Sequence, residues 1–414
     1  MRFLKPTILI PAFVSTALFL SGCSFGGGGE PSPSSDQLKI LRIGYISEEH
    51  FTKRYANLLQ LEYPGYRIEI VPMKEMIKQR QPIHDWLRSN PIDLIYLRSS
   101  QFAELIDHND LIDLQPHIKR NSFPLESIIP SLMELTRQYG EGSIYGLPPS
   151  FYSEAVAINR DLFDSNNMRI PEGQTTWSGL MDAVRQADGG LSVHKDSPFL
   201  LLMRMGQSSR LQMFDENTRE ATIDTPAWKQ IWELATAAVQ NENIRLDPIN
   251  DNPFLTGDRA AALLSYYDYK LLELTKPDFR WSLLPVPMDG TLLGMTTSLS
   301  PDGFWAIPAA SANPDDAWKL VAFLMSDNVA KWNYRSDYGF SSLSQQFSIS
   351  SVDKDELGAF YELQPLVPET LPWPDFLPDL VNGVFGDILS GSESVESGLK
   401  KLQDLVSQQA KENI

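Results

Sequence analysis

Ile92-Asp93-Leu94-Ile95-Tyr96-Leu97, followed at once by Ser99-Ser100 and a helical pattern through Ile106, is the stretch that decides the fold. A compact apolar run that ends at a helix start is the pattern of a strand covered on both faces. The same unit occurs twice upstream. Leu38-Lys39-Ile40-Leu41-Arg42-Ile43-Gly44-Tyr45 alternates and then runs apolar as a first strand, and a helix is expected from about Glu49 to Tyr63, where Pro64-Gly65 stops it. Tyr66-Arg67-Ile68-Glu69-Ile70-Val71 alternates as a second strand, with a helix expected over Met73 to Ser89. This strand–helix–strand alternation predicts an α/β fold with a mostly parallel sheet and helices on both faces. Ligands in such sheets sit beyond the carboxyl ends of the strands, here the segments after Tyr45 and after Leu97.

The chain has 414 residues, enough for two domains. Its 53 acidic and 35 basic residues give a net charge of -18, the wrong balance for nucleic acid, whose phosphates need clustered Lys and Arg. Aromatic residues are plentiful, and their positions must separate core packing from stacking on a ligand.

At the N-terminus Arg2 and Lys5 precede an apolar run from Pro6 to Leu20, closed by Leu20-Ser21-Gly22-Cys23. A charged n-region, an apolar h-region and a small-residue cleavage site make a secretory signal. The apolar run falls short of the ~20 residues that span a bilayer. It resembles the bacterial lipoprotein signal, which implies that residues 1–22 are removed and that Cys23, the only cysteine, carries a lipid anchor. Residues 23–37 are rich in Gly, Ser and Pro and are expected to form a flexible tether. The expected location is the extracellular face of a cell membrane, with no disulfide in the folded part.

Gly142-Ser143-Ile144-Tyr145-Gly146-Leu147-Pro148 leads into Ala155-Val156-Ala157-Ile158-Asn159-Arg160-Asp161-Leu162-Phe163. Further along come Thr175-Thr176-Trp177-Ser178-Gly179-Leu180, Phe254-Leu255-Thr256-Gly257-Asp258-Arg259-Ala260-Ala261, and Gly303-Phe304-Trp305-Ala306-Ile307 with Ala317-Trp318-Lys319-Leu320-Val321-Ala322-Phe323-Leu324. The amphipathic stretch Val395 to Ala410 follows. In this order the blocks resemble the extracellular solute-binding proteins of ABC importers, in the carbohydrate-binding, maltose-binding-protein-like branch. The resemblance implies a two-lobe periplasmic-binding-protein-like fold of type II, with three interlobe crossings and a ligand cleft between the lobes. Lobe 1 is expected to take 38–147 plus 296–326, and lobe 2 148–295 plus 327–414. Pro148 and Pro149 stiffen the expected first crossing.

Signatures of catalysis are absent: no G-x-S-x-G elbow, no H-E-x-x-H and no phosphate-binding G-x-x-x-x-G-K-[ST] loop. The five histidines have no metal-ligand spacing and read as surface or capping residues. No metal, cofactor or enzymatic activity is expected, and Glu154 reads as a hinge or ligand-contact residue.

A sugar ring needs an aromatic plate for its C–H face and polar groups for its hydroxyl rim. By position, the first lobe offers Glu48 after the first strand, and Ser99 and Ser100 after the third, where they also suit a helix cap. Gly303, Phe304 and Trp305 lie on the returning strand, with Trp305 either a plate or a core residue. Phe151 and Tyr152 follow the hinge turn. In the second lobe Tyr266, Tyr267, Asp268 and Tyr269 stand where the family often shows a G-x-W stacking segment. Trp373, in Leu371-Pro372-Trp373-Pro374-Asp375, suits a plate or the packing of its loop. The expected partners are a small-molecule ligand, most readily a carbohydrate, and permease subunits, with no nucleic acid and a monomeric chain. Alternatives in a different class are a ligand-sensing receptor of the same fold, a binder of peptides or polyamines, and a surface hydrolase.

Overall fold

The computed structural model describes residues 38–412 except 186, 188, 195–196, 216–217, 219, 249–250, 337, 350–356 and 368–372. The signal segment, the tether and Cys23 lie outside the described residues, as do Leu371 and Pro372.

Two five-stranded sheets form the framework. In the first, Tyr66–Pro72, Lys39–Tyr45 and Leu94–Leu97 run parallel, and Phe304–Ala306 and Gly146–Leu147 complete the order. Phe304–Ala306 is antiparallel to both of its neighbours, so the sheet is mixed. The second sheet has the order Ile244–Asp247, Leu191–His194, Ala261–Ser265, Glu154–Asn159, Trp281–Pro285, in which Glu154–Asn159 runs antiparallel to both of its neighbours and the other four share one direction. One apolar core joins a face of each sheet, with Leu41, Ile43 and Leu94 of the first and Ala155, Ala262 and Leu283 of the second, and the other face of each sheet has a core of its own. That of the second includes Trp228 and Trp232, both fully buried one helical turn apart. Removing an aromatic side chain of this kind from water contributes about 1.5–3 kcal/mol.

Between the two sheets lies a third, of three short strands. Ser150–Tyr152 is its centre, flanked by Ser300–Pro301 and Phe340–Ser341, both antiparallel to it. These are the three passages of the chain between the lobes, hydrogen-bonded to one another. The first begins at Ser150, three residues past Leu147. The third passes at Phe340–Ser341 and not near residue 326. Ser326 only opens another helix, Asp327–Arg335, and that helix stays with the first lobe because Asn333 bonds Arg54 there. The chain after 341 touches both lobes: the amide of Ile129 donates to the Ser342 carbonyl and Gln138 Nε2 to the Pro365 carbonyl in the first, while Phe360 packs on Tyr269 of the second and its carbonyl accepts from Ser153 Oγ. Only the closing helices, Leu377–Leu389 and Val395–Glu412, join the second core.

Local sequence accounts for most element ends. Asn159 Oδ1 accepts from the Leu162 amide at 3.2 Å and Thr176 Oγ1 from Gly179 at 3.0 Å, each satisfying one free helix N-terminal donor. The helix expected over 73–89 is two, Lys74–Lys78 and Ile83–Ser89, because Pro82 has no amide hydrogen and forces extended backbone before it. Among the histidines, His117 is buried against Trp318, unlike the surface role expected for it.

Gly206 lies where the helices Pro198–Ser208 and Pro226–Gln240 cross. A Cβ there would stand 2.1 Å from the Trp228 ring. Alanine normally stabilises a helix interior by ~0.5–1 kcal/mol over glycine. Here the overlap reverses the sign, and Gly206→Ala is expected to destabilise the second lobe by about 1–3 kcal/mol in urea titrations.

Candidate functional site

The helix after the first strand begins at Glu48, capped by Ser47, whose hydroxyl accepts from the His50 amide. It widens to a π-helical turn over Thr52–Ala56 before continuing to Glu62. A π turn inserts a residue and rotates the helix face that follows. Tyr55 and Arg54 are consequently both buried here.

The Arg54 guanidinium reaches the first interlobe passage, the end of the second and the helix that precedes the third. Its Nη2 donates to Ser150 Oγ at 3.1 Å, its Nη1 to Asp302 Oδ2 at 2.8 Å, and its Nε to Asn333 Oδ1 at 3.2 Å. Ser150 lies in the first crossing strand, Asp302 directly follows the second, and Asn333 belongs to the helix that leads into the third. The Tyr96 hydroxyl also donates to Asp302 Oδ2 at 2.8 Å, and Ser150 Oγ approaches the same oxygen at 3.3 Å. Arg54 lies 4.3 Å from the centre of the Tyr338 ring. Burial opposes its charge, but the surrounding phenols and Asp302 outweigh this and raise its pKa further.

Packing explains why Asp302 meets these partners. The register Trp305↔Tyr96 sets the Tyr96 ring beside the returning strand. A Cβ on Gly303 would stand 2.7 Å from that ring and 2.8 Å from the Leu97 carbonyl, so only glycine fits. Below lies an aromatic cluster of Tyr45, Tyr55, Tyr96 and Trp305, with Trp305 stacked on Tyr45 at 5.9 Å. Burial pushes the Tyr45 hydroxyl up to about 12 and also raises Tyr96 and Tyr152, where Asp302 adds to the shift. These phenols therefore stay neutral and hydrogen-bond as hydroxyls throughout the physiological pH range.

The second lobe contributes at the opposing strand ends. Tyr267, 57% exposed, opens the helix after Ala261–Ser265 and reaches the Tyr152 hydroxyl at 3.4 Å, the rings 5.9 Å apart. Beside it Arg204 grips Glu154 through both carboxylate oxygens, with the shortest contact 2.6 Å. Trp373 packs edge-on to Phe199 at 5.3 Å and remains 39% exposed. Across the mouth Arg80 meets Asp375 at 3.2 Å. Both side chains are largely exposed, and such a pair contributes little.

Of the residues expected at the site, the structure brings Tyr152 and Tyr267 together and leaves Trp373 exposed on the second lobe. Gly303 shapes the floor through what it lacks. Phe151, Tyr266, Tyr269, Phe304 and Trp305 are buried core residues with no surface to offer a ligand, because each packs into an aromatic cluster. Asp268 caps its own helix, its Oδ2 accepting from the Ser265 amide at 2.9 Å and hydroxyl at 2.6 Å. Ser99 and Ser100 open the helix Ser99–Asp107, where Ser99 meets the Tyr139 hydroxyl, and Glu48 is exposed in the first turn of its helix. Arg54, Tyr96, Ser150, Asn333 and Tyr338 escaped the sequence reading. Nothing in one sequence marks an arginine that a π turn carries inward. Among the described residues no His, Cys, Asp and Glu side chains gather as a metal site, and no helix is long and apolar enough to cross a membrane.

Two mixed sheets joined by three paired strands, with polar groups gathered at the joint, define a two-lobe binding protein. Residues 82–331 match the bacterial extracellular solute-binding protein family, and the chain belongs to it. This is a family of binders and not of enzymes. No curated protein matches the chain in sequence. Among solved structures it is similar in fold to the sugar-binding protein MalE from Xanthomonas citri, at 14% identity and a TM-score of 0.65, covering 91% of this chain and 98% of that one. A family 1 extracellular solute-binding protein from Alicyclobacillus acidocaldarius gives 15% identity and 0.66, covering 91% and 100%. Maltose-bound T. maritima MalE3 gives 15% and 0.54, covering 91% and 100%.

Removing one member of a buried ion pair strands the other charge. Arg54→Met is expected to lower unfolding free energy by about 3–5 kcal/mol, and Arg54→Met with Asp302→Asn to recover most of it. Equal losses in the single and double variants would show that the pair is not coupled.

Proposed function

We propose that this chain is a lipid-anchored extracellular receptor that captures a sugar or oligosaccharide between its lobes and delivers it to the permease of an ABC importer. The observation that carries the reading is the paired-strand joint, with Tyr152 on one crossing facing exposed Tyr267 of the second lobe. Tyrosine faces suit the C–H surface of a sugar, and neutral phenol hydroxyls suit its rim. Trp373 is a third plate, from the loop before the closing helices. The MalE proteins and the D-mannitol-bound solute-binding protein from Agrobacterium vitis, which share this fold, carry sugar or polyol names.

Rotation occurs about the three crossing strands, and ligand favours the closed form through contacts that only that form provides. The closed, loaded form is the one the permease recognises. Cys23 holds the assembly at the membrane through its lipid, and residues 23–37 give it reach.

A thermal-shift screen of residues 38–414 against mono- and oligosaccharides, peptides and polyamines tests the ligand class. Ligand at ~100 times its dissociation constant adds about 2.7 kcal/mol to the folded state. A shift with one sugar series that Tyr267→Ala abolishes is the expected result. A shift with peptides or polyamines alone refutes the sugar assignment and favours the nutrient or sensing alternative.

The anchor is tested separately. In the full chain Cys23→Ala is expected to abolish radiolabelled palmitate incorporation and to move the protein from the membrane fraction to the medium. Retention of label in that variant contradicts the lipoprotein reading.

A further inference from the structure

At the joint, one oxygen of the Asp302 carboxylate accepts no hydrogen bond among the described residues. Asp302 Oδ2 takes the bonds from Arg54, Tyr96 and Ser150. Oδ1 takes none of them, and the side chain remains 21% exposed. The other charges near the joint are engaged in part: among the described residues Arg204 leaves Nη1 without a partner and Asp268 leaves Oδ1 without a bond. Arg54 is directed at Ser150, Asp302 and Asn333, and Arg204 is held by Glu154. Asp268 gives Oδ2 to its helix cap. Tyr152 lies close enough to feel the Asp302 carboxylate, and Tyr338 covers the Arg54 guanidinium.

We propose that Asp302 is the specificity-determining residue of the cleft, its Oδ1 accepting hydroxyl hydrogens from an uncharged polyol stacked at Tyr152 and Tyr267. This rests on the sugar reading given above. An ionised carboxylate has only acceptors, so it selects ligands that donate. It gives an anionic ligand no donor, because the Arg54 donors are already directed at Asp302, Ser150 and Asn333. Arg54 and Tyr96 are positioning residues, since they fix Oδ2 and thereby aim Oδ1. Asp302 lies directly after a crossing strand, and its amide donates to the Ser150 carbonyl at 3.0 Å. A ligand held there is held at the joint about which the lobes turn.

The test is calorimetric titration of wild type and Asp302→Asn with maltose, maltotriose, D-mannitol and gluconate, and then with single-position deoxy analogues of whichever polyol binds. The expected loss in Asp302→Asn is about 10- to 100-fold for the polyol, as for a hydrogen bond to a charged group. For the deoxy analogue that lacks the bonded hydroxyl, the same substitution should change affinity less than ~3-fold, which damage to the fold alone would not produce. Arg54→Lys should weaken the parent polyol and spare that same analogue. Should Asp302→Asn fold poorly, Arg54→Met with Asp302→Asn removes both buried charges and repeats the comparison. Unchanged polyol affinity in these variants, equal loss across all analogues, or gluconate binding more tightly than the neutral polyols overturns the role of Asp302 and leaves the sugar reading standing. Wild type that takes up none of the polyols overturns the sugar reading itself.

Discussion

One buried guanidinium ties the joint of this molecule together. Arg54 hydrogen-bonds a residue of, or adjoining, each of the three passages between the lobes, and its charge is answered by Asp302. A planar group with five donors can bond three separate segments at once, which a lysine ammonium on its flexible stem does less well. A buried ion pair adds little net stability over an apolar equivalent, but it penalises arrangements that separate its members. In a protein whose lobes rotate, that penalty falls where the passages must stay in register.

The geometry around the pair follows from close packing. Gly303 admits the Tyr96 ring, Tyr96 donates to Asp302, and Trp305 supports both Tyr96 and Tyr45 from below. The aromatic layer is stiff and the crossing strands are two or three residues long, so distortion concentrates in the joint and not in the sheets. Contacts away from the joint differ in weight. The Tyr334 hydroxyl reaches Glu273 at 3.3 Å and its ring lies 3.9 Å from Lys270 Nζ, in a partly buried setting between the lobes. The exposed Arg80–Asp375 contact is screened by solvent and yields readily to rotation.

Charge in the cleft is settled mostly within each lobe. Arg204 and Glu154 neutralise one another in the second lobe, and Arg54 and Asp302 do so at the floor. The remaining polar surface includes the hydroxyls of Tyr152 and Tyr267 and the exposed edge of Asp302. Such a surface binds through directed hydrogen bonds and ring faces, and it exchanges little charge with its ligand.

The α/β class and the first three parallel strands were legible because they depend on local pattern, alternating or continuous apolar runs; the break at Pro82 carries an equally local signal, but the reading ran one helix through it. The family was legible because its blocks are contiguous segments in a fixed order. Proximity across the chain was not legible. Tyr266 and Tyr267 are adjacent and chemically alike, yet one is buried beneath Phe340 and the other faces Tyr152, since the phase of a helix start is set by what packs behind it. Trp305 could be read as plate or core until its register with Tyr96 placed it inside. Arg54 belongs to a site only because a π turn changes its phase and three distant segments converge on it, and such convergence is decided by packing over long sequence separations, which no local pattern encodes.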